Sequence, residues 1–237
     1  MKTKVLVLDA LVGATGVQEI ENIKGVLAEQ SDQFLFQVVD LYDHELAKNQ
    51  IESADKIIIS GSPQAVYETK EWMKKLEFAY SVILSGEKPT LAICFGAQFL
   101  AQILGARVSK NPQGIEFGSI SLSLTDAGQE HELLQDFHVQ KKVHATHGDY
   151  IETLPNNTQL LAYNDNSPIQ AYQYGNVLAT QFHPDVPVRR MQELLESRKE
   201  KYLATGVVSD EDAFVRIHQD LDSGAAGHTI LQDFLII

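Results

Sequence analysis

Three side chains carry the strongest chemical signal in this chain: Cys94, His183 and Asp185. Cys94 is the sole cysteine. It follows the short apolar run Pro89–Ile93 and precedes Phe95, Gly96 and a helix-forming stretch. That order predicts a buried strand breaking into a tight turn, with the thiol at the corner and a helix starting just beyond it. A helix N-terminus beside the sulfur favours a thiolate and offers N–H groups to an oxyanion. A lone cysteine is equally at home as a small buried hydrophobe. The balance shifts at a second apolar run, Val177–Phe182, which leads into His183, Pro184 and Asp185. Residues two apart on a strand face the same side. His183 and Asp185 can therefore share one site, the carboxylate orienting the imidazole. Nucleophile, base and orienter are the three parts of acyl-transfer chemistry through a thioester.

These residues need a scaffold that brings them together. Lys4–Ala10, Phe34–Leu41, Lys56–Ser60 and Pro89–Ile93 read as buried strands. Between them, Gln18–Gln30 carries Ile20, Ile23, Val26 and Leu27 at helical spacing, and Glu68–Leu84 carries Trp72, Leu76, Ala79 and Ile83. Gln98–Leu104 reads as a helix that stops at Gly105. Strands alternating with helices predict a parallel sheet covered on both faces, with ligands at the carboxyl ends of its strands. The turns at Gly61–Ser62 and at Cys94 lie at such ends. The loop Gly13–Gly16 is too weak a glycine pattern to imply a nucleotide. Beyond Gln113 the texture changes to short alternating runs at 120–124, 143–146, 159–163, 170–174 and 177–182, with a hairpin signal at Tyr174, Gly175 and Asn176. This half is richer in antiparallel strands. Val188–Tyr202, Asp210–Leu221 and Thr229–Leu235 read as helices. The simplest organisation is one domain over 1–237, with a core of about 1–190 and a helical C-terminal extension over 188–237.

Composition narrows the partners. With 237 residues, 44% hydrophobic, 22% charged and a net charge of −13, the chain reads as an ordinary acidic globular protein. The charge disfavours nucleic-acid binding, which needs a basic footprint. A single cysteine excludes an intrachain disulfide and a multi-cysteine zinc site, and the other histidines show no metal-ligand spacing. The N-terminal apolar run is too short for a signal peptide, and no stretch approaches the ~20 apolar residues of a membrane span. The expectation is a soluble cytoplasmic protein acting on a small molecule, with no cofactor.

Four segments in order resemble one family. Cys94-Phe95-Gly96-Ala97-Gln98 fits the C-x-G-x-Q signature of class I, triad-type glutamine amidotransferases. Ser60-Gly61-Ser62-Pro63 resembles that family's Ser-Gly-Gly-Pro turn. His147-Gly148-Asp149 and Gln181-Phe182-His183-Pro184-Asp185 resemble segments of its GMP-synthase-like branch. The resemblance implies a three-layer α/β/α, flavodoxin-like fold with a mostly parallel central sheet. It implies that Cys94 attacks the γ-amide of glutamine, with His183 as base and Asp185 as orienter. It further implies an oxyanion hole from the backbone of Phe95, Gly61 and Ser62, and substrate contacts from Gln98, Thr146 and the backbone near His147. Ammonia would pass to a separate synthase or acceptor subunit.

Two departures stand out. Asp185 replaces the usual Glu, one methylene longer, and so is expected to leave its carboxylate short of the imidazole by roughly an ångström or more. Ser62 replaces a glycine and is disfavoured if the turn needs φ > 0. They leave two alternatives open: a γ-glutamyl hydrolase or peptidase with another leaving group, and a regulatory or binding protein with weakened turnover. Whether the helical tail forms a homodimer interface or covers the sheet is also open at this level.

Overall fold

Alternation along the first strand separates the layers. In β1 (Thr3–Asp9), Leu6 and Leu8 join one buried cluster while Val5 and Val7 join another. The computed structural model describes residues 2–11, 17–138 and 142–237, so the Gly13–Gly16 loop lies outside the described residues. After β1 come α1 (Val17–Leu27), β2 (Phe34–Asp40), a short α2 (Lys48–Glu52), β3 (Lys56–Ile59), α3 (Met73–Ser85), β4 (Thr90–Ile93) and α4 (Phe95–Ile103). The second half holds β5 (Val108–Lys110), β6 (Glu116–Ser121), β7 (Ser123–Leu124), α5 (Asp126–Glu130), β8 (Lys142–His147), β9 (Asp149–Ile151), β10 (Gln159–Tyr163), β11 (Ala171–Tyr174) and β12 (Val177–Thr180). Three helices follow: α6 (Val188–Ala204), α7 (Glu211–Gln219) and α8 (Ala225–Ile236).

The main sheet runs β2-β1-β3-β4-β12-β11-β10-β7. Its first five strands are mutually parallel, and β11, β10 and β7 continue it in antiparallel fashion. Two antiparallel ribbons, β5 with β9 and β6 with β8, stand apart from it. One face of the sheet is covered by α3 and α4 through Leu76, Tyr80, Ile83, Ala97 and Leu100. The other is covered by Ile23, Val26 and Leu27 of α1 with Ile230, Leu231 and Phe234 of α8. The expected α/β architecture, with an antiparallel-rich second half and helices at the C-terminus, is therefore what forms. The last helix covers the sheet, while α6 and α7 build a small core of their own from Val186, Met191, Leu195, Tyr202 and Phe214. No helix among the described residues is long and apolar enough to cross a membrane.

Several boundaries move for local reasons. The third helix starts at Met73 rather than Glu68, because the N–H groups of Met73, Lys74 and Lys75 bond back only three residues, as in a turn. The fourth starts at Phe95 rather than Gln98, directly after the cysteine. The run expected to reach Phe182 pairs as a strand only to Thr180.

Candidate active site

Cys94 stands at the corner between β4 and α4, with φ 49° and ψ −101°. That region of backbone space costs a non-glycine residue roughly 1–3 kcal/mol. The corner is held from both sides. The Cys94 N–H donates to the Thr180 carbonyl at 2.7 Å, and its carbonyl accepts from the Gln98 N–H at 2.9 Å. Gly96 allows the turn to sit this close to β3: a Cβ there would meet Ile59 Cγ2 at 2.9 Å and the Ile59 carbonyl at 3.0 Å. Cys94 as a whole residue is 5% exposed.

His183 arrives from the end of β12 and is clamped by β8. Its N–H donates to the His144 carbonyl at 2.8 Å in an isolated antiparallel bridge. The segment beyond is tied down at Val186, whose carbonyl accepts from His144 Nδ1 at 2.8 Å and from His228 Nε2 at 3.1 Å. Asp185 Oδ1 lies 3.2 Å from His183 Nδ1, with both side chains buried. The shorter carboxylate thus reaches the imidazole directly, and the expected gap does not exist. The bend of the chain after Thr180, not strand alternation, brings the pair together. Burial alone would lower the His183 pKa, but Asp185 on one side and the Cys94 thiol on the other outweigh it and hold the imidazole well above its usual value.

Gly61 packs between the two. A Cβ built on it would lie 2.9 Å from His183 Cε1, 3.7 Å from His183 Nε2 and 3.5 Å from Cys94 Cβ. Glycine is required here by close approach, not by a left-handed backbone. Nor does Ser62 have positive φ. Serine therefore sits in the turn without backbone strain, contrary to the condition that would have disfavoured it. Phe95 opens α4, where the first N–H groups of a helix lack intrahelical acceptors. Backbone from both expected oxyanion segments thus flanks Cys94.

The expected substrate contacts fare differently. Gln98 is buried, and its amide donates to the Asp149 carbonyl and to Gln181 Oε1, both at 3.0 Å. Thr146 Oγ1 accepts from Arg198 Nη1. His147 is buried, with Nδ1 2.9 Å from the Asp149 carbonyl and Nε2 3.0 Å from Glu116 Oε2. Burial would raise the Glu116 pKa, but contacts with His147, Asn164 and Gln170 overcome it and lower the value. Gln98 and His147 thus brace one carbonyl at the wall of the site.

Three residues at the site were given no role by the motifs, although Gln181 lies within one of the matched segments. Gln181 Nε2 donates to Cys94 Sγ at 3.6 Å. Arg198 of α6 reaches the site from the C-terminal region. Glu19 of α1 is buried, its Oε1 has no hydrogen-bond partner among the described residues, and burial with the nearby charges of Asp185 and Asp9 raises its pKa. A signal for Glu19 exists: it precedes Ile23 and Val26 by four and seven residues, on the helix's inward stripe. Asp9 at the end of β1 is likewise buried and pushed up to about 6, chiefly by desolvation.

Two cavities open onto Cys94. One of about 240 Å³ is lined by Glu19, Asn22, Gly61, His183, Asp185 and Arg190. One of about 480 Å³ is lined by Tyr67, Glu68, Gln98, Lys110, Asp149 and Lys201. Ser62, Pro63, Thr146 and Arg198 border both.

The model of the family described as glutamine amidotransferase class-I matches residues 17–200. A glutamine-hydrolyzing GMP synthase of Phocaeicola vulgatus is 39% identical over 136 residues, covering 55% of this chain and 24% of that protein. One from Bacteroides fragilis is 34% identical over 158 residues, covering 62% and 29%. The chain thus spans about a quarter of the length of the curated relatives it matches. Among solved structures, a glutamine amidotransferase from Thermotoga maritima superposes with a TM-score of 0.76 at 21% identity, over 99% of both chains. One from Methylobacillus flagellatus gives 0.75 at 18% identity, over 99% and 94%. At these identities the structural likeness speaks for the fold.

Proposed function

Because the chain belongs to the class I glutamine amidotransferases, we propose that Cys94, His183 and Asp185 form a working triad that releases ammonia from the γ-amide of glutamine. What carries this reading is the strained corner at Cys94, set against a buried imidazole whose far nitrogen meets Asp185 at 3.2 Å. Sγ attacks the amide carbon while His183 holds the thiol proton. The tetrahedral oxyanion faces the N–H groups of Phe95 and of the Gly61–Ser62 turn. His183 then protonates the departing nitrogen, and ammonia leaves a γ-glutamyl thioester. Water attacks the thioester as His183 takes its proton, glutamate departs, and the thiol is restored. Gln181 steadies the sulfur, and Gln98 acts through Gln181 and the Asp149 carbonyl, shaping the wall against which glutamine lies. The curated relatives are GMP synthases by name. By analogy, the ammonia is consumed by a synthase domain or subunit.

The test is covalent trapping with a glutamine-shaped chloroketone, read by intact mass. One adduct at Cys94, suppressed by excess glutamine and absent in Cys94→Ala, is expected. An unlabelled Cys94 that still reacts with iodoacetamide would refute the reading. A second reading draws on the cavity of about 240 Å³ beside Glu19. That volume exceeds what ammonia needs, since a water occupies about 30 Å³ of the liquid. A γ-glutamyl amide with a bulkier amine would fill it. A panel of γ-glutamyl amides turned over faster than glutamine would favour this hydrolase.

A further inference from the structure

We propose that Arg198 binds the carboxylate of the substrate attacked by Cys94, and so selects γ-amides that carry an amino-acid head. The proposal rests on the reading of Cys94 as nucleophile. Arg198 borders both cavities that open onto Cys94. It is half-buried. Its Nη1 donates to Thr146 Oγ1 and, at 3.5 Å, to the Tyr202 hydroxyl. Both partners are neutral. Its neighbours on α6 are paired differently: Arg189 and Arg190 meet Glu193, and Lys199 meets Glu211. Among the described residues Arg198 shows no carboxylate partner. The chain has 32 acidic residues, so the lack of one at this position is not a matter of supply. A guanidinium stripped of part of its water and holding no ion pair among the described residues is held at a cost that an incoming anion offsets.

The geometry suits a ligand that must be placed rather than merely attracted. Met191, Leu195 and Tyr202 anchor α6 in its own small core, and the Tyr202 ring packs on Phe117 at 4.7 Å. Thr146 fixes the guanidinium to β8, the strand that also clamps His183. A fork held in this way loses little freedom on meeting a carboxylate and can do so through two parallel bonds. Glu68 and Asp149 line the same larger cavity and offer the opposite charge. Together these poles match a zwitterionic head group.

The experiment compares L-glutamine with its α-carboxamide as substrates for wild type, Arg198→Met, Arg198→Lys and, as a charge control, the exposed Arg189→Met. Arg198→Met is expected to lower kcat/KM for glutamine by about 10- to 100-fold, mostly through KM, as expected for loss of a charge-assisted bond. The α-carboxamide should change little, so the preference for a free carboxylate collapses. Arg198→Lys should restore part of it, and Arg189→Met should leave it intact. Equal losses on both substrates, or none, would overturn the proposal. If wild type neither hydrolyses glutamine nor accepts the chloroketone, the glutaminase reading has failed separately. The rates at which iodoacetate and iodoacetamide alkylate Cys94 then decide. A fall of about threefold or more in their ratio in Arg198→Met supports an anion-binding Arg198; an unchanged ratio overturns it.

Discussion

Adding one methyl group at Gly61 should disable the site while leaving the fold standing. The new Cβ would lie 2.9 Å from His183 Cε1 and 3.5 Å from Cys94 Cβ. Carbon atoms rest at about 3.5–4.0 Å, so the imidazole must retreat by roughly 0.6–1 Å. Its contact with Asp185 starts at 3.2 Å and has little slack. A displacement of about 1 Å costs on the order of 100-fold when geometry controls the reaction. The backbone at 61 lies outside the left-handed region, so alanine brings no conformational strain there. The stability cost is overpacking alone, about 1–3 kcal/mol. Gly61→Ala is therefore expected to lower kcat/KM for glutamine by about 100-fold and to slow alkylation of Cys94 by iodoacetamide near neutral pH, with a cooperative melt retained. In a His183→Ala background the added methyl should cost almost nothing, because the clashing ring is gone. If Gly61→Ala keeps activity within about threefold of wild type, or costs as much without His183 as with it, the steric argument is wrong.

Other outcomes follow from the same geometry. Asp185→Asn should reduce kcat/KM by roughly 100-fold or more, whereas Asp185→Glu should not raise it, because the carboxylate already meets His183; a gain in Asp185→Glu would revive the view that aspartate is too short. Cys94→Gly should be more stable than Cys94→Ala by about 1 kcal/mol in denaturant titration, since glycine tolerates φ 49° and alanine does not. Asp9 has a folded pKa of about 6 against an ordinary 3.8, so its contribution to stability is present below about pH 4 and lost as pH rises through 6. Asp9→Asn should flatten the stability profile over that window, by up to on the order of 3 kcal/mol. Glu19 is shifted in the same direction, so Glu19→Gln should remove a further loss of stability above the ordinary carboxylate range; an unchanged pH profile of the melting midpoint would contradict its burial as a neutral acid.

The sequence by itself determined the layered sheet, the order of its elements and the corner at Cys94. Those depend on local signals: period-two burial in β1, helical spacing in α1 and α3, and a glycine two residues after the cysteine. It also indicated His183 and Asp185, because they stand two apart at the end of an apolar run. It did not reveal how they meet. The strand ends at Thr180, and a bridge to His144 from a distant ribbon sets the imidazole. The reach of Asp185 could not be judged by counting methylenes, since the backbone after Thr180 bends to supply the missing distance. Likewise, Gln98 and Thr146 carry the right chemistry for substrate, but only tertiary packing decides that Gln98 Nε2 is also engaged by Gln181 and Asp149 and that Thr146 Oγ1 accepts from Arg198. Glu19 and Arg198 lie 75 residues before and 104 residues after Cys94 in the chain, and only the closed fold puts them on its cavities. Periodicity reports which face of an element is buried. It does not report which buried polar groups lack a partner, because that depends on contacts between elements that are far apart in sequence.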